Sequence, residues 1–156
     1  MTLLFRQIGE PDSMRGEGAS ATFNIKNDLG GGVCAAEGSL EYTLPDGTRC
    51  SHKSDILLSC PRGKHVAIEI KFLSAVTDQF KTRSYDMLQL KKAHGENLVG
   101  IMVYLHAAGI GIGIERARSI CYPYDHFFGF DFDSGALEAN RWTEVVNAVE
   151  EAVAQW

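Results

Sequence analysis

The chain has 156 residues and a net charge of −5, and 45% of its residues are hydrophobic. The length fits one domain, and the hydrophobic content is enough for a packed core, so the composition excludes a disordered chain. The acidic balance excludes a protein that coats nucleic acid through a basic surface, but it leaves room for a local basic groove.

No apolar run reaches about 18 residues, so we expect no transmembrane helix. The first six residues lack a basic leader followed by an apolar core, so we expect no secretory signal and a cytoplasmic location. None of the four cysteines forms a CxxC pair, which argues against zinc ribbons and redox motifs and favours buried free thiols. The cysteines are Cys34, Cys50, Cys60 and Cys121.

We predict a single domain over residues 1–156, with a poorly readable segment at 1–36. Short segments are expected near Thr2–Ile8 and Ala19–Lys26, and the run Gly30–Gly32 is typical of a loop or a close backbone approach.

From Ser39 onward, apolar and polar residues alternate, which indicates strands. Strands are predicted over about 39–44, 48–60 and 65–73, joined by turns at Pro45–Gly47 and Pro61–Lys64. The apolar side chains of the second and third strands must share one face, so the pairing register allows Asp55 to lie opposite Glu69 or Lys71. The three charged residues Asp55, Glu69 and Lys71 then form one patch, on the face opposite Ile56, Leu58, Ile68 and Ile70.

The remaining elements complete an α/β pattern with a mixed sheet. A helix is predicted over Ser84–His94, with Gly95 just after its end and a start possible as early as Thr77, and a buried strand is predicted over Leu98–His106. Residues 109–113 carry three glycines at alternate positions, which favours a turn or tight packing over a phosphate loop. An amphipathic helix is predicted over Ser134–Trp156 as the closing element.

The charged patch has the chemistry of a divalent-metal site. Two converging carboxylates repel each other, and hard oxygen ligands suit Mg²⁺ or Mn²⁺. A lysine beside them can orient a water molecule or stabilise charge on a phosphate. The backbone carbonyl of Ile70 is a further candidate ligand.

Asp55 on one strand and Glu69-Ile70-Lys71 on the next, followed by a helix that carries Gln89, resemble the PD-(D/E)XK nuclease superfamily. The resemblance covers about residues 38–106 and implies a restriction-endonuclease-like core of a helix, three strands, a helix and a strand. It implies that Asp55 and Glu69 bind Mg²⁺ or Mn²⁺, that Lys71 assists the attacking water, and that Gln89 supports the site. The family's first helix often supplies another acid, for which Glu37 and Glu17 are the candidates.

The resemblance therefore implies an endonuclease-type hydrolase acting on DNA, and double-strand cutting by one short domain implies a homodimer. A catalytically inactive, nuclease-like domain that binds nucleic acid or a protein is the alternative. The three charges are also compatible with an ordinary solvated strand face, on which Asp55 pairs with Lys71. Six basic residues are equally compatible with a DNA groove and with a solvated helix face. They are Lys81, Arg83, Lys91, Lys92, Arg116 and Arg118.

Overall fold

The computed structural model describes residues 22–25, 32–73, 75–107, 109–131, 139–154 and 156. The strands are β1 (Thr22–Ile25), β2 (Gly32–Ala36), β3 (Ser39–Thr43), β4 (Arg49–Lys53), β5 (Ile56–Ser59), β6 (His65–Leu73), β7 (Leu98–His106) and β8 (His126–Asp131). The helices are α1 (Thr77–His94), α2 (Ile114–Ile120) and α3 (Ala139–Ala154), and a 3₁₀ turn at Gly95–Asn97 follows α1. The predicted segment Thr2–Ile8, Glu17, Gly30, Gly31 and residues 134–138 of the closing helix lie outside the described residues.

Six strands form one mixed sheet in the order β1-β2-β5-β6-β7-β8. The pairs β1–β2, β2–β5 and β5–β6 are antiparallel, whereas β7 runs parallel to β6 and β8 runs parallel to β7. Helix α1 makes the crossover from β6 to β7, as a parallel pair requires. The α/β class and the mixed sheet are therefore confirmed, and so are the strand Leu98–His106 and the helix start at Thr77.

A long antiparallel hairpin bends out of this sheet. Ala36 pairs with Ile56 and Ser39 with Lys53, so β3 and β4 continue the ladder of β2 and β5 in one register. The bend lies at residues 37–38 and 54–55, where Glu37 adopts a φ of 56° and its N–H bonds to the carbonyl of Asp55 at 2.8 Å. A Cβ on Gly38 would lie 2.5 Å from the Cβ of Leu57, so only glycine fits this close approach.

The bend corrects the predicted strand order. The strand expected over 48–60 is two strands, β4 and β5, that belong to different sheets. Within the main sheet β5 pairs antiparallel with β6, as predicted, and also with β2, which lies in the segment that the sequence left unreadable. The turns were predicted correctly, because Gly47 and Gly63 both adopt a positive φ. The strand β8 and the helix α2 were not predicted.

Helices cover both faces of the sheet and give three layers. On one face, α1, α2 and the hairpin β3–β4 bury a core that includes Leu40, Phe80, Met102, Tyr104 and Ala117. On the other face, α3 buries a second core. That core includes Leu58, Val66, Ile68, Ile101, Val103, Val145, Val149 and Val153. The apolar side of the predicted amphipathic helix thus packs on the sheet. Trp142, near the start of α3, is 39% exposed.

Among the helices that the structure describes, none combines the length and the apolar composition that crossing a bilayer would require.

Candidate functional site

Asp55 lies at the bend between β4 and β5, where the hairpin leaves the sheet. The β5–β6 ladder includes the pair Ile56↔Ile68. Continued by one residue, this register places Asp55, which precedes Ile56, opposite Glu69, and it is one of the two predicted registers. Its carboxylate oxygen Oδ2 accepts a hydrogen bond of 2.6 Å from the backbone N–H of Ile70. This bond joins Asp55 to the strand that carries the Glu-X-Lys motif, and the second oxygen of the carboxylate can serve another ligand.

Glu69 lies in the middle of β6 beneath α1, and 0% of it is exposed. Its oxygen Oε1 is 2.7 Å from Nε2 of His52. Its oxygen Oε2 is 3.5 Å from both Nζ of Lys71 and Nε of Arg83, and it has no hydrogen-bond partner. Burial of an unpaired carboxylate is costly, so these three groups are what stabilises the charge of Glu69. The solvated strand face is therefore wrong for Glu69.

His52 connects Glu69 to α1. Its Nδ1 is 3.1 Å from Oδ2 of Asp86, and the hydroxyl of Tyr42 donates to Oδ1 of Asp86 at 3.2 Å. Ionised carboxylates only accept hydrogen bonds, so both contacts of His52 are hydrogen bonds when both ring nitrogens carry protons. The guanidinium of Arg83 lies farther from Nδ1, at 3.4 Å. The result is a buried polar chain from the hairpin through α1 to the sheet.

Two tyrosines near this chain are held in their neutral form. Burial, and then the charge of Asp86, raises the pKa of Tyr42 to about 12. Burial, and then the charge of Glu69, raises the pKa of Tyr124 well above its usual value. The Tyr124 hydroxyl donates to the backbone carbonyl of Arg83 at 3.4 Å. Both phenols therefore act at neutral pH as hydrogen-bond donors and not as bases.

The structure places Asp55 against β6, where its carboxylate accepts from the Ile70 N–H, and it places the ammonium of Lys71 3.5 Å from Glu69. The side chain of Lys71 is largely buried, with 16% of it exposed. The predicted supporting residues are placed differently. Glu37 is near Asp55 through its backbone only, because its carboxylate is 63% exposed and pairs with Lys53 at 2.6 Å. Gln89 is buried on α1, one turn beyond Asp86.

The residues of the candidate basic groove have different partners. Lys91 forms a two-pronged ion pair with Asp125, at 2.5 and 2.6 Å, and this carboxylate also accepts the N–H of Gly100. Lys91 is therefore structural. Arg118 lies over the ring of Phe127, 5.1 Å from its centroid. Arg83, whose side chain is 34% exposed, is the member of this group that contacts Glu69.

The donor chemistry of the acidic pair fits a hard divalent cation. Glu69 offers Oε2, a buried oxygen without a hydrogen bond, and Asp55 offers its second carboxylate oxygen. Across the described part of the chain, no group of three or more His, Cys, Asp and Glu side chains is arranged to hold a metal ion. The fit therefore depends on two carboxylates and on backbone or water oxygens.

Sequence reasoning missed His52, Asp86 and the contact made by Arg83. Alternation through the predicted turn at 45–47 places His52 opposite Leu40, on the apolar face of the hairpin. A histidine at such a position was a signal, because a buried imidazole needs polar partners. Arg83 and Asp86, three residues apart, share one side of α1, but only the tertiary structure identifies the partners that this side contacts.

Comparison of this chain with family models, curated proteins and solved structures found no match in any of the three.

Proposed function

We propose that this chain is a divalent-metal-dependent nuclease of the PD-(D/E)XK type that hydrolyses phosphodiester bonds of DNA. The observation that carries the proposal is that Asp55, at the bend between β4 and β5, is hydrogen-bonded to the Ile70 N–H, between Glu69 and Lys71 on β6. The order β2-β5-β6, then α1, then a parallel β7 supports it, because three antiparallel strands, a helix and a strand are the elements that follow the first helix in the core that the resemblance implies.

In this proposal Asp55 and Glu69, with the backbone carbonyl of Ile70, hold Mg²⁺ or Mn²⁺. The cation, when bound, polarises the phosphate and makes water more acidic. Lys71 orients the attacking water and stabilises negative charge on the phosphate, which the distance of 3.5 Å between its ammonium and the Glu69 carboxylate supports. Arg83 adds a second cationic group beside the same carboxylate.

DNA cleavage in the presence of Mg²⁺ tests the proposal. We expect the wild-type protein to cleave DNA, and we expect Lys71→Ala to lose at least about a hundredfold in rate, as removal of one charge-stabilising group typically does. Arg62→Ala is the matched control, because Arg62 is an exposed cationic residue in the turn between β5 and β6 and does not belong to the candidate groove. Full cleavage by Lys71→Ala would exclude this mechanism.

Double-strand cleavage requires two sites, and the described part of the chain offers one, so we propose that it cuts duplex DNA as a homodimer. Sedimentation equilibrium with and without a DNA duplex tests this. A monomer under both conditions, in a protein that still makes double-strand breaks, would refute the dimer.

A second candidate is a nuclease-like domain that binds nucleic acid or a protein without catalysis. The observation that favours it is that both acids already have partners: Glu69 has His52, Lys71 and Arg83, and Asp55 has the N–H of Ile70. Calorimetric titration with Mn²⁺ separates the two candidates. Binding that is lost in both Asp55→Asn and Glu69→Gln supports the nuclease, and absence of binding to the wild type supports the inactive domain.

A further inference from the structure

The two oxygens of the Glu69 carboxylate have different surroundings. Oε1 accepts from His52 at 2.7 Å, whereas Oε2 makes no hydrogen bond although two cationic side chains lie 3.5 Å away. A distance of 3.5 Å is beyond a good N–H···O bond, which is about 2.7–3.2 Å long. A rotation of the carboxylate toward Lys71 or Arg83 would convert one of these contacts into a hydrogen-bonded ion pair. The observed orientation therefore requires a group that holds Oε1.

His52 is the group placed to hold it. The imidazole is 2% exposed and lies on β4, on the hairpin that folds back over the sheet face. Its other nitrogen contacts Asp86 of α1, and Tyr42 of β3 donates to the second oxygen of Asp86. The orientation of the ring is thus fixed from two elements, and the ring in turn fixes Oε1.

The geometry points to His52 as a positioning residue for Glu69: it engages Oε1 so that Oε2 stays available to a divalent cation. This inference rests on the proposed function, because the cation is the ligand proposed there. Groups that orient metal ligands from behind typically contribute 10–100-fold to metal affinity. Without His52, we expect the carboxylate to rotate toward Lys71 or Arg83 and to lose affinity for the cation.

A pair of substitutions separates this role from a merely structural one. The amide nitrogen of glutamine reaches about as far along the side chain as Nε2 of histidine, and that of asparagine about as far as Nδ1. His52→Gln can therefore still donate to Glu69, whereas His52→Asn can donate only toward Asp86. The two variants are similar in polarity and both lose the ring, so a structural role alone predicts similar effects on stability and no difference in metal affinity.

The experiment is calorimetric titration of the folded proteins with Mn²⁺, with circular dichroism to establish folding. We expect His52→Asn to weaken Mn²⁺ binding by about 10–100-fold and His52→Gln to retain most of the affinity. His65→Asn is the control, because His65 is a half-buried histidine at the start of β6, where it is hydrogen-bonded to Ser59 of β5 and not to Glu69. Asp86→Asn, which acts on the far nitrogen of His52, is expected to cause a smaller loss and serves if the His52 variants do not fold.

Equal affinity in the wild type and in His52→Asn would overturn the inference and leave the proposed metal site intact. Equal losses in His52→Asn and His52→Gln would also overturn it, and so would an unchanged affinity of Asp86→Asn if neither His52 variant folds. Absence of Mn²⁺ binding to the wild type would instead refute the metal-dependent function, and with it the role given to His52.

Discussion

Replacing Glu69 by glutamine keeps the shape of a fully buried side chain and removes its charge. Glu69 is the negative group shared by His52, Lys71 and Arg83, at 2.7, 3.5 and 3.5 Å. In Glu69→Gln the side-chain carbonyl can still accept from His52, but the cationic groups of Lys71 and Arg83 lose the counter-charge that they share. We therefore expect the substitution to destabilise the fold.

The magnitude follows from the burial of each partner. Removing one member of a fully buried ion pair costs about 3–5 kcal/mol. His52 retains Asp86, and Lys71 and Arg83 are partly solvated, so we expect a loss of about 2–4 kcal/mol in the free energy of unfolding. For a chain of this size this corresponds to a fall of about 5–15 °C in Tm.

Urea unfolding followed by circular dichroism measures this loss directly. Glu115→Gln is the matched control, because the Glu115 side chain is 87% exposed and lies 3.8 Å from Arg118 on the surface of α2. We expect the control to stay within about 0.5 kcal/mol of the wild type. A Glu69→Gln protein as stable as this control would refute the reasoning that His52, Lys71 and Arg83 stabilise the buried carboxylate of Glu69.

Three further predictions concern the rest of the fold. Gly38→Ala should lower the free energy of unfolding by about 1–3 kcal/mol, because the added Cβ overpacks the bend; unchanged urea unfolding would contradict this. Burial raises the pKa of the Cys121 thiol to about 11, so in the native protein a thiol reagent at pH 8 should modify Cys50 well before Cys121; faster modification of Cys121 would contradict the burial. Burial, and then the neighbouring His94, lowers the pKa of His65, so the unfolded chain binds the proton more tightly and stability should fall as pH drops below about 6.5. His65→Gln should flatten that fall in a series of Tm measurements, and an unchanged slope would contradict the assignment.

The sequence determined the local features whose signal is short in range. Alternation of apolar residues and the turn residues at 45–47 and 61–64 specified hairpins, because strand period and positive φ are properties of a few neighbouring residues. Parity between the strands then limited the residue opposite Asp55 to Glu69 or Lys71, since a slip of one residue would turn the apolar side chains of one strand away from the core, and the structure has the first of these registers. The continuous apolar run Leu98–His106 specified the buried parallel strand.

Only the tertiary structure decided which groups surround Glu69. The bend at Glu37–Gly38 and Asp55 folds the hairpin β3–β4 over the sheet. No local pattern in the sequence specifies which residues of the sheet and of α1 the folded hairpin contacts. That bend brings His52 from one sheet and Asp86 from α1 into contact, 34 residues apart along the chain. The sequence thus specifies the motif of Asp55, Glu69 and Lys71. The buried hydrogen-bonded groups behind Glu69, His52 and Asp86, come together only because the three layers pack.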